Sequence, residues 1–105
     1  MQIEVIGGGT INRQARIYAE YRVFAALTQF ADAEAVRRVR VVLRTTDRGR
    51  GCDRVACTVT VAAAGADSFR VRATGPHAYA AINRAVERIR WAATTGLGAA
   101  VAEGS

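Results

Sequence analysis

The chain has 105 residues, half of them hydrophobic, and fifteen basic against nine acidic residues leave a net charge of +6. That length excludes more than one ordinary domain, and the apolar half excludes global disorder. No run approaches the roughly 18 apolar residues of a membrane span, and "MQIEVIGGG" lacks the basic-then-apolar order of a signal peptide. A soluble cytoplasmic protein is expected. All fifteen basic residues are arginine. A composition rich in Ala, Gly and Val accounts for arginine over lysine, but not for the excess of positive charge. Arginine's planar fork suits phosphate, so RNA, DNA or an acidic surface is the expected class of partner.

In chain order, "QIEVI" (2–6) alternates, with Ile3 and Val5 on one face, and predicts a short strand. "GGGT" turns the chain. From Asn12 to about Ala31 there is no Gly or Pro, and Ile11, Ala15, Ala19, Val23, Ala26, Leu27 and Phe30 recur at three- and four-residue steps. This predicts an amphipathic helix capped by Asn12 or Thr10. From Arg37 the period becomes two. Val39, Val41 and Leu43 oppose Arg38, Arg40, Val42 and Arg44; Val55, Cys57, Val59 and Val61 oppose Arg54, Ala56, Thr58 and Thr60; Phe69, Val71 and Ala73 oppose Arg70, Arg72 and Thr74. Three half-buried strands follow, joined at 45–53 and at "AAGAD". "GP" at 75–76 opens a second helix, with Pro in its first turn. Ala78, Ile82, Ala85, Ile89 and Ala93 form its apolar stripe, flanked by Ala81 and Val86, and Gly96 ends it. Residues 1–95 therefore form one domain, and 96–105 a flexible tail.

The fold class is α+β, in the order β-α-β-β-β-α: a four-stranded sheet with two helices packed on one face. The other face stays open, which is why the strands alternate so cleanly. That face carries Arg38, Arg40, Arg44, Arg54, Arg70 and Arg72, with no acid among the outward positions of the three later strands. A solvated sheet face must be polar in any case, but random polar filling mixes signs. One sign across neighbouring strands repels until phosphates neutralise it. Phe69, the only strand aromatic, lies on the inward phase, so backbone-tracking contact is expected rather than base stacking.

The cysteines invite a metal or redox reading. Cys52 and Cys57 lack a second ligand pair, however, and the single histidine, His77, lies far along the chain. Cys57 falls on an apolar phase and reads as a buried small hydrophobe. Cys52 sits in a loop as a free, oxidisable thiol, and a cytoplasmic setting disfavours a disulfide. "DRGRG" has no following Gly-Lys-Ser/Thr and is no P-loop. "GGGT" ahead of a helix is a strand-to-helix turn before it is an anion cradle. Trp91, late in the second helix, is expected to pack by default, with contact to a partner as the alternative. No catalytic constellation, metal site, cofactor or small-molecule substrate emerges.

Three strings on these elements resemble the ribosome hibernation-promoting factor family, also called ribosome-associated inhibitor A, over about residues 1–93. "MQIEVIGGG" is similar to the family's opening strand, and "FAALTQFAD" leading into "RRVRVVL" to its helix end and second strand. "YAAINRAVERI" (79–89) is similar to its Tyr-Ala-Ala-Ile-Asp helix. "DRGRGCDRVACTV" also resembles a subgroup loop, with Arg50, Gly51, Asp53, Arg54 and Cys57 at its Arg, Gly, Asp, Lys and Cys positions. The resemblance implies a sheet-and-helix module like the double-stranded-RNA-binding domain. It further implies a stress or stationary-phase factor that binds rRNA of the small ribosomal subunit in the mRNA and tRNA channel, inhibiting translation without catalysis. The residues expected to bind rRNA are Arg38, Arg40, Arg44, Arg70 and Arg72 on the sheet and Arg48, Arg50 and Arg54 at the hairpin. Arg88, where the family has a basic residue, and Arg84 extend the set onto the second helix. The chain departs from the family at "GPHAY", at Asn83 in place of Asp, and at "WAATTGLGAA" in place of a lysine-rich helix end. No C-terminal dimerisation domain is expected, so ribosome pairing through one is not; self-association is possible but not predicted. The alternative is an RNA-binding or protein-interaction module of the same fold with no ribosomal role.

Overall fold

The computed structural model describes residues 1–8, 11–30, 36–47, 53–63 and 68–95. The elements are β1 (Gln2–Gly7), α1 (Arg13–Phe30), β2 (Val36–Asp47), β3 (Asp53–Ala63), β4 (Phe69–Gly75) and α2 (Ala78–Thr95). The expected order β-α-β-β-β-α is the observed one, and the fold is α+β. The strands form one sheet in the order β1-β2-β3-β4, with β1 parallel to β2 and the other pairs antiparallel. The parallel pair follows from chain order, because α1 carries the chain back across the sheet as a crossover. The expected tail, 96–105, and the helix stop at Gly96 lie outside the described residues.

Both helices lie on one face because that is where the apolar phase of each strand points. Val39, Val41, Leu43, Val55, Cys57, Val59, Val61, Phe69, Val71 and Ala73 are buried there. Against them pack Ala15, Ala19, Val23, Ala26 and Leu27 of α1 and Ala81, Ile82, Ala85, Val86, Ile89 and Ala92 of α2. Leu27, Leu43, Ile82 and Ile89 are fully enclosed, each contributing roughly 1.5–3 kcal/mol of burial. The alanines let the helices approach closely. Where the helices meet, Tyr18 donates its hydroxyl to Asn83 Oδ1 at 2.8 Å, Arg22 Nε donates to the same oxygen at 3.3 Å, and Tyr18 meets Tyr79 edge-on at 5.0 Å.

Local chemistry sets the ends. Asn12 caps α1, its Oδ1 accepting from the Ala15 amide at 2.7 Å. Thr10, the other candidate cap, is outside the described residues. Pro76 does not sit in the first turn of α2. The helix begins at Ala78, and His77 is its cap, with Nδ1 accepting from the Ala80 amide at 3.2 Å and its carbonyl from Ala81 at 3.1 Å. A proline just ahead of the cap keeps the residue before it, Gly75, in the extended conformation that ends β4. Gly75 is required by proximity, since a Cβ there would stand 2.8 Å from the Ala81 amide nitrogen and 2.9 Å from Ala80 Cβ. β2 starts one residue earlier than expected. Val36 pairs with Ala63 and Arg38 with Ala62, so Arg37 is the extra residue of a bulge and Val36 still reaches the core.

Candidate nucleic-acid interface

The open face of the sheet is built in rows by strand register. Gln2, Arg38 and Ala62 align in one row; Glu4, Arg40, Thr60 and Arg70 in the next; then Ile6, Val42, Thr58 and Arg72. Arg44, Ala56 and Thr74 form a fourth row, and Thr46 stands beside Arg54. All six sheet arginines expected on this face, Arg38, Arg40, Arg44, Arg54, Arg70 and Arg72, are exposed there.

No arginine stands directly opposite another. β2 carries one column and β4 a second, with the short side chains Ala56, Thr58, Thr60 and Ala62 of β3 between them. The expected direct cross-strand repulsion is therefore avoided. Two strand spacings, roughly 9.6 Å, separate the columns, about one Debye length at physiological salt. The result is a trough with a threonine floor and cationic walls. Thr58, Thr60, Ser68, Arg70 and Arg72 line its β4 side, an open depression of about 720 Å³. A phosphate over the floor lies within reach of guanidinium groups from both sides and of the threonine hydroxyls, which donate as well. Ala56 is 4% exposed although it is on this face. It is a small side chain flanked in register by Arg44 and Thr74, and their bulk covers it.

One acid breaks the uniform sign. Glu4, outward on β1, lies beside Arg40 with Oε1 3.5 Å from Nε, both side chains about half exposed. At that exposure the pair is worth at most about 1 kcal/mol, but it locally neutralises one of the face's cations. The alternation of "QIEVI" already put Gln2, Glu4 and Ile6 opposite Ile3 and Val5. What was missing was the parallel register that brings β1 alongside β2.

The other expected residues are placed differently. Arg54 is the second residue of β3, at the hairpin end, where its carbonyl accepts from Thr46 Oγ1 at 3.2 Å; Arg48, Arg50 and Cys52 are outside the described residues. Arg84 and Arg88 are exposed on α2, in the helical layer and not on the open face. Arg84 donates Nη1 to the Thr74 carbonyl at 2.8 Å, which covers part of the free edge of β4. Cys57 is fully buried, and burial pushes its thiol from 9.0 up to about 12. At neutral pH it is a protonated core side chain rather than a nucleophile. Trp91 does not pack into the core; it is 54% exposed. Among the described residues no group of three or more His, Cys, Asp or Glu gathers to hold a metal, and no helix is long and apolar enough to cross a membrane.

By fold and face the chain is a small α+β module with a one-sided helical layer and a basic open sheet. Solved structures that share the fold include two from bacteria. The N-terminal domain of Thermus thermophilus Protein Y superposes with a TM-score of 0.67 at 25% identity, covering 89% of this chain and 96% of that one. A ribosomal subunit interface protein from Coxiella burnetii superposes with a TM-score of 0.71 over 93% of this chain and 99% of that one; at 11% identity it speaks for the fold alone. No protein-family model and no curated protein matches the chain. The resemblance to the ribosome hibernation-promoting factor family carried by the sequence is borne out in the likeness to Protein Y, while the second likeness bears out the fold.

Proposed function

We propose that this protein is a non-catalytic, ribosome-associated factor of the hibernation type. In this reading it binds rRNA of the small subunit in the mRNA and tRNA channel and thereby inhibits translation. The observation that carries the proposal is the pair of arginine columns flanking a threonine floor. A sheet with this charge gains most from a regularly spaced polyanion, whose condensed counterions are released on contact. The likeness to Protein Y supports the ribosome as the source of that polyanion. Arg38, Arg40, Arg44, Arg54, Arg70 and Arg72 supply the phosphate contacts in this reading. Arg48 and Arg50 extend them at the hairpin, and Arg84 and Arg88 around the β4 edge.

Nothing in the arrangement reads individual bases. Phe69 is buried, and the outward side chains of the trough are cations, hydroxyls and small aliphatics. Binding is led by shape and phosphate position. Cosedimentation tests the proposal. The protein should travel with small subunits from stationary-phase cells at low salt and return to the top of the gradient as salt rises. Crosslinking should recover small-subunit rRNA. Protein that stays at the top at low salt sinks the proposal. Scattered RNA or none in the crosslinks favours instead a module of this fold without a ribosomal role.

A further inference from the structure

α1 carries two apolar stripes, and only one of them is used by the fold. Ala15, Ala19, Val23, Ala26 and Leu27 face the sheet. On the opposite side Gln14, Ile17, Tyr21, Phe24 and Thr28 are all exposed, at alternating steps of three and four residues. That alternation is the seam of a two-stranded coiled coil extended over two heptads. Ile17 is 55% exposed, Tyr21 67% and Phe24 48%. Beside the seam a groove of about 450 Å³ opens between α1 and the β1 edge, lined by Met1, Ile3, Ile17, Glu20, Tyr21 and Phe24.

We infer that this stripe is the interface of a homodimer in which α1 packs antiparallel against α1 of a second copy, about a two-fold axis near Tyr21. The seam is self-complementary about that residue. Gln14 and Thr28 lie seven positions to either side, and Ile17 and Phe24 lie four and three. A two-fold therefore sets Ile17 against Phe24 of the second copy, Tyr21 close to its equivalent, and Gln14 against Thr28, with apolar contact at the centre and polar pairs at the ends. Isologous contacts of this kind close on themselves at two copies. The groove beside the seam offers room for an aromatic ring of the other copy. A lipid surface fits less well, because Glu20 places a carboxylate in the groove where an acyl boundary would lie.

Size sets the strength. With aromatic side chains of 150–250 Å², these fractional exposures amount to roughly 400 Å² per copy, within the range of functional patches on small proteins. About 800 Å² in total falls below the roughly 1,200–2,000 Å² of stable specific interfaces, so the dimer is weak, transient and concentration-dependent. Its geometry leaves both arginine faces outward, since the helices and the open face are opposite sides of the sheet. The inference does not depend on what the arginine face binds.

Sedimentation equilibrium over roughly 10 µM to 1 mM, the span suited to an interface of that size, tests it. The mass should rise from 11.2 kDa toward twice that value. Added salt should strengthen the dimer, because each copy carries +6 and screening relieves their repulsion; RNA binding should weaken under the same change. The triple variant Ile17→Gln, Tyr21→Gln, Phe24→Gln should remain monomeric with an unchanged circular dichroism spectrum, because all three side chains are exposed. In a Cys52→Ser background, Gln14→Cys with Thr28→Cys should give a covalent dimer on oxidation. Gln14→Cys alone should not, since antiparallel packing holds the two equivalents roughly 21 Å apart, fourteen residues at 1.5 Å. A monomer at every concentration overturns the inference, as does a triple variant that dimerises like the parent. Efficient crosslinking by Gln14→Cys alone overturns the antiparallel axis. A monomer that binds phosphatidylserine vesicles through the same three residues reassigns the stripe to lipid.

Discussion

The arginine columns make a quantitative prediction about salt. Six described arginines face the open side, and Glu4 partly neutralises Arg40 at 3.5 Å, which leaves an effective cationic contact of about five. Each phosphate contact contributes about −0.9 to the log–log salt slope on duplex nucleic acid and −0.7 on single strands. The sheet face alone should therefore contribute about −3.5 to −4.5 to the slope, a loss of roughly 100- to 500-fold in affinity between 50 and 200 mM salt, and contacts from Arg48, Arg50, Arg84 and Arg88 add to it. Replacing Arg38, Arg40, Arg70 and Arg72 together by Gln leaves Arg44 and Arg54. That face's contribution should fall to about −1.4 to −1.8, and its share of the loss over the same range to about tenfold. Each substituted side chain is exposed, so each exchange should cost within about 0.5 kcal/mol of stability. Glu4→Gln runs the other way. It frees Arg40 and should steepen the slope by up to about one unit. Fluorescence anisotropy against a labelled small-subunit rRNA fragment, repeated across the salt series, measures all three proteins. The reasoning fails if the quadruple variant keeps the parental slope. If Arg84→Gln with Arg88→Gln lowers it instead, the interface moves to the helical layer.

Two further outcomes concern the scaffold. Gly75→Ala should destabilise the domain by about 1–3 kcal/mol in denaturant titration, because its Cβ would meet the Ala81 amide at 2.8 Å and the α2 backbone cannot retreat without lifting the helix from β4. A change within a few tenths of a kcal/mol would show that the helix start is less tightly seated than its contacts indicate. Cys57 supplies a pH signature. Its thiol is raised in the folded state from 9.0 to about 12, so the folded form holds the proton more tightly than the unfolded chain. The contribution is fully present below pH 9 and is lost as pH rises toward 12. At about 1.4 kcal/mol per pKa unit, the parent should lose roughly 4 kcal/mol across that window relative to Cys57→Ala. Parallel stability curves for the two proteins would refute the burial argument.

The sheet was the most legible part of the fold, because strict alternation of valine with arginine admits one inward phase per strand. Register slips flip every side chain, so the arginine face and the buried valines were read from the same pattern. Four features were not legible, for different physical reasons. Glu4 needs the parallel pairing of β1 with β2, a long-range contact that no local pattern contains. The second stripe of α1 was hidden because Ile17, Tyr21 and Phe24 interleave with the buried alanines; a periodicity search finds the stripe that closes the core and treats the remainder as surface. Trp91, for which packing is the default expectation, is instead 54% exposed. At the start of α2, proline chemistry pointed to residue 76, whereas the cap is His77, whose Nδ1 does the work more often given to Ser or Asp. The hairpin arginines Arg48 and Arg50 fall outside the described residues, so that part of the interface rests on sequence.

The arginine face is compatible with a stable domain because the fold spreads its cost. Two unit charges about 6.7 Å apart, the i to i+2 spacing along a strand, repel by roughly 0.6 kcal/mol in water. Across the β3 column, at roughly 9.6 Å, the figure falls to about 0.4 kcal/mol before screening. β3 keeps the columns apart with threonine and alanine, and Glu4 offsets Arg40. The repulsion that remains is small against the core beneath it. A polyanion reverses its sign at every position at once. An arginine placed directly across from another would have concentrated the cost at one contact without adding reach to phosphate. The short β3 column is therefore as much a part of the interface as the arginines: Thr58→Arg or Thr60→Arg would add a cation yet fill the trough.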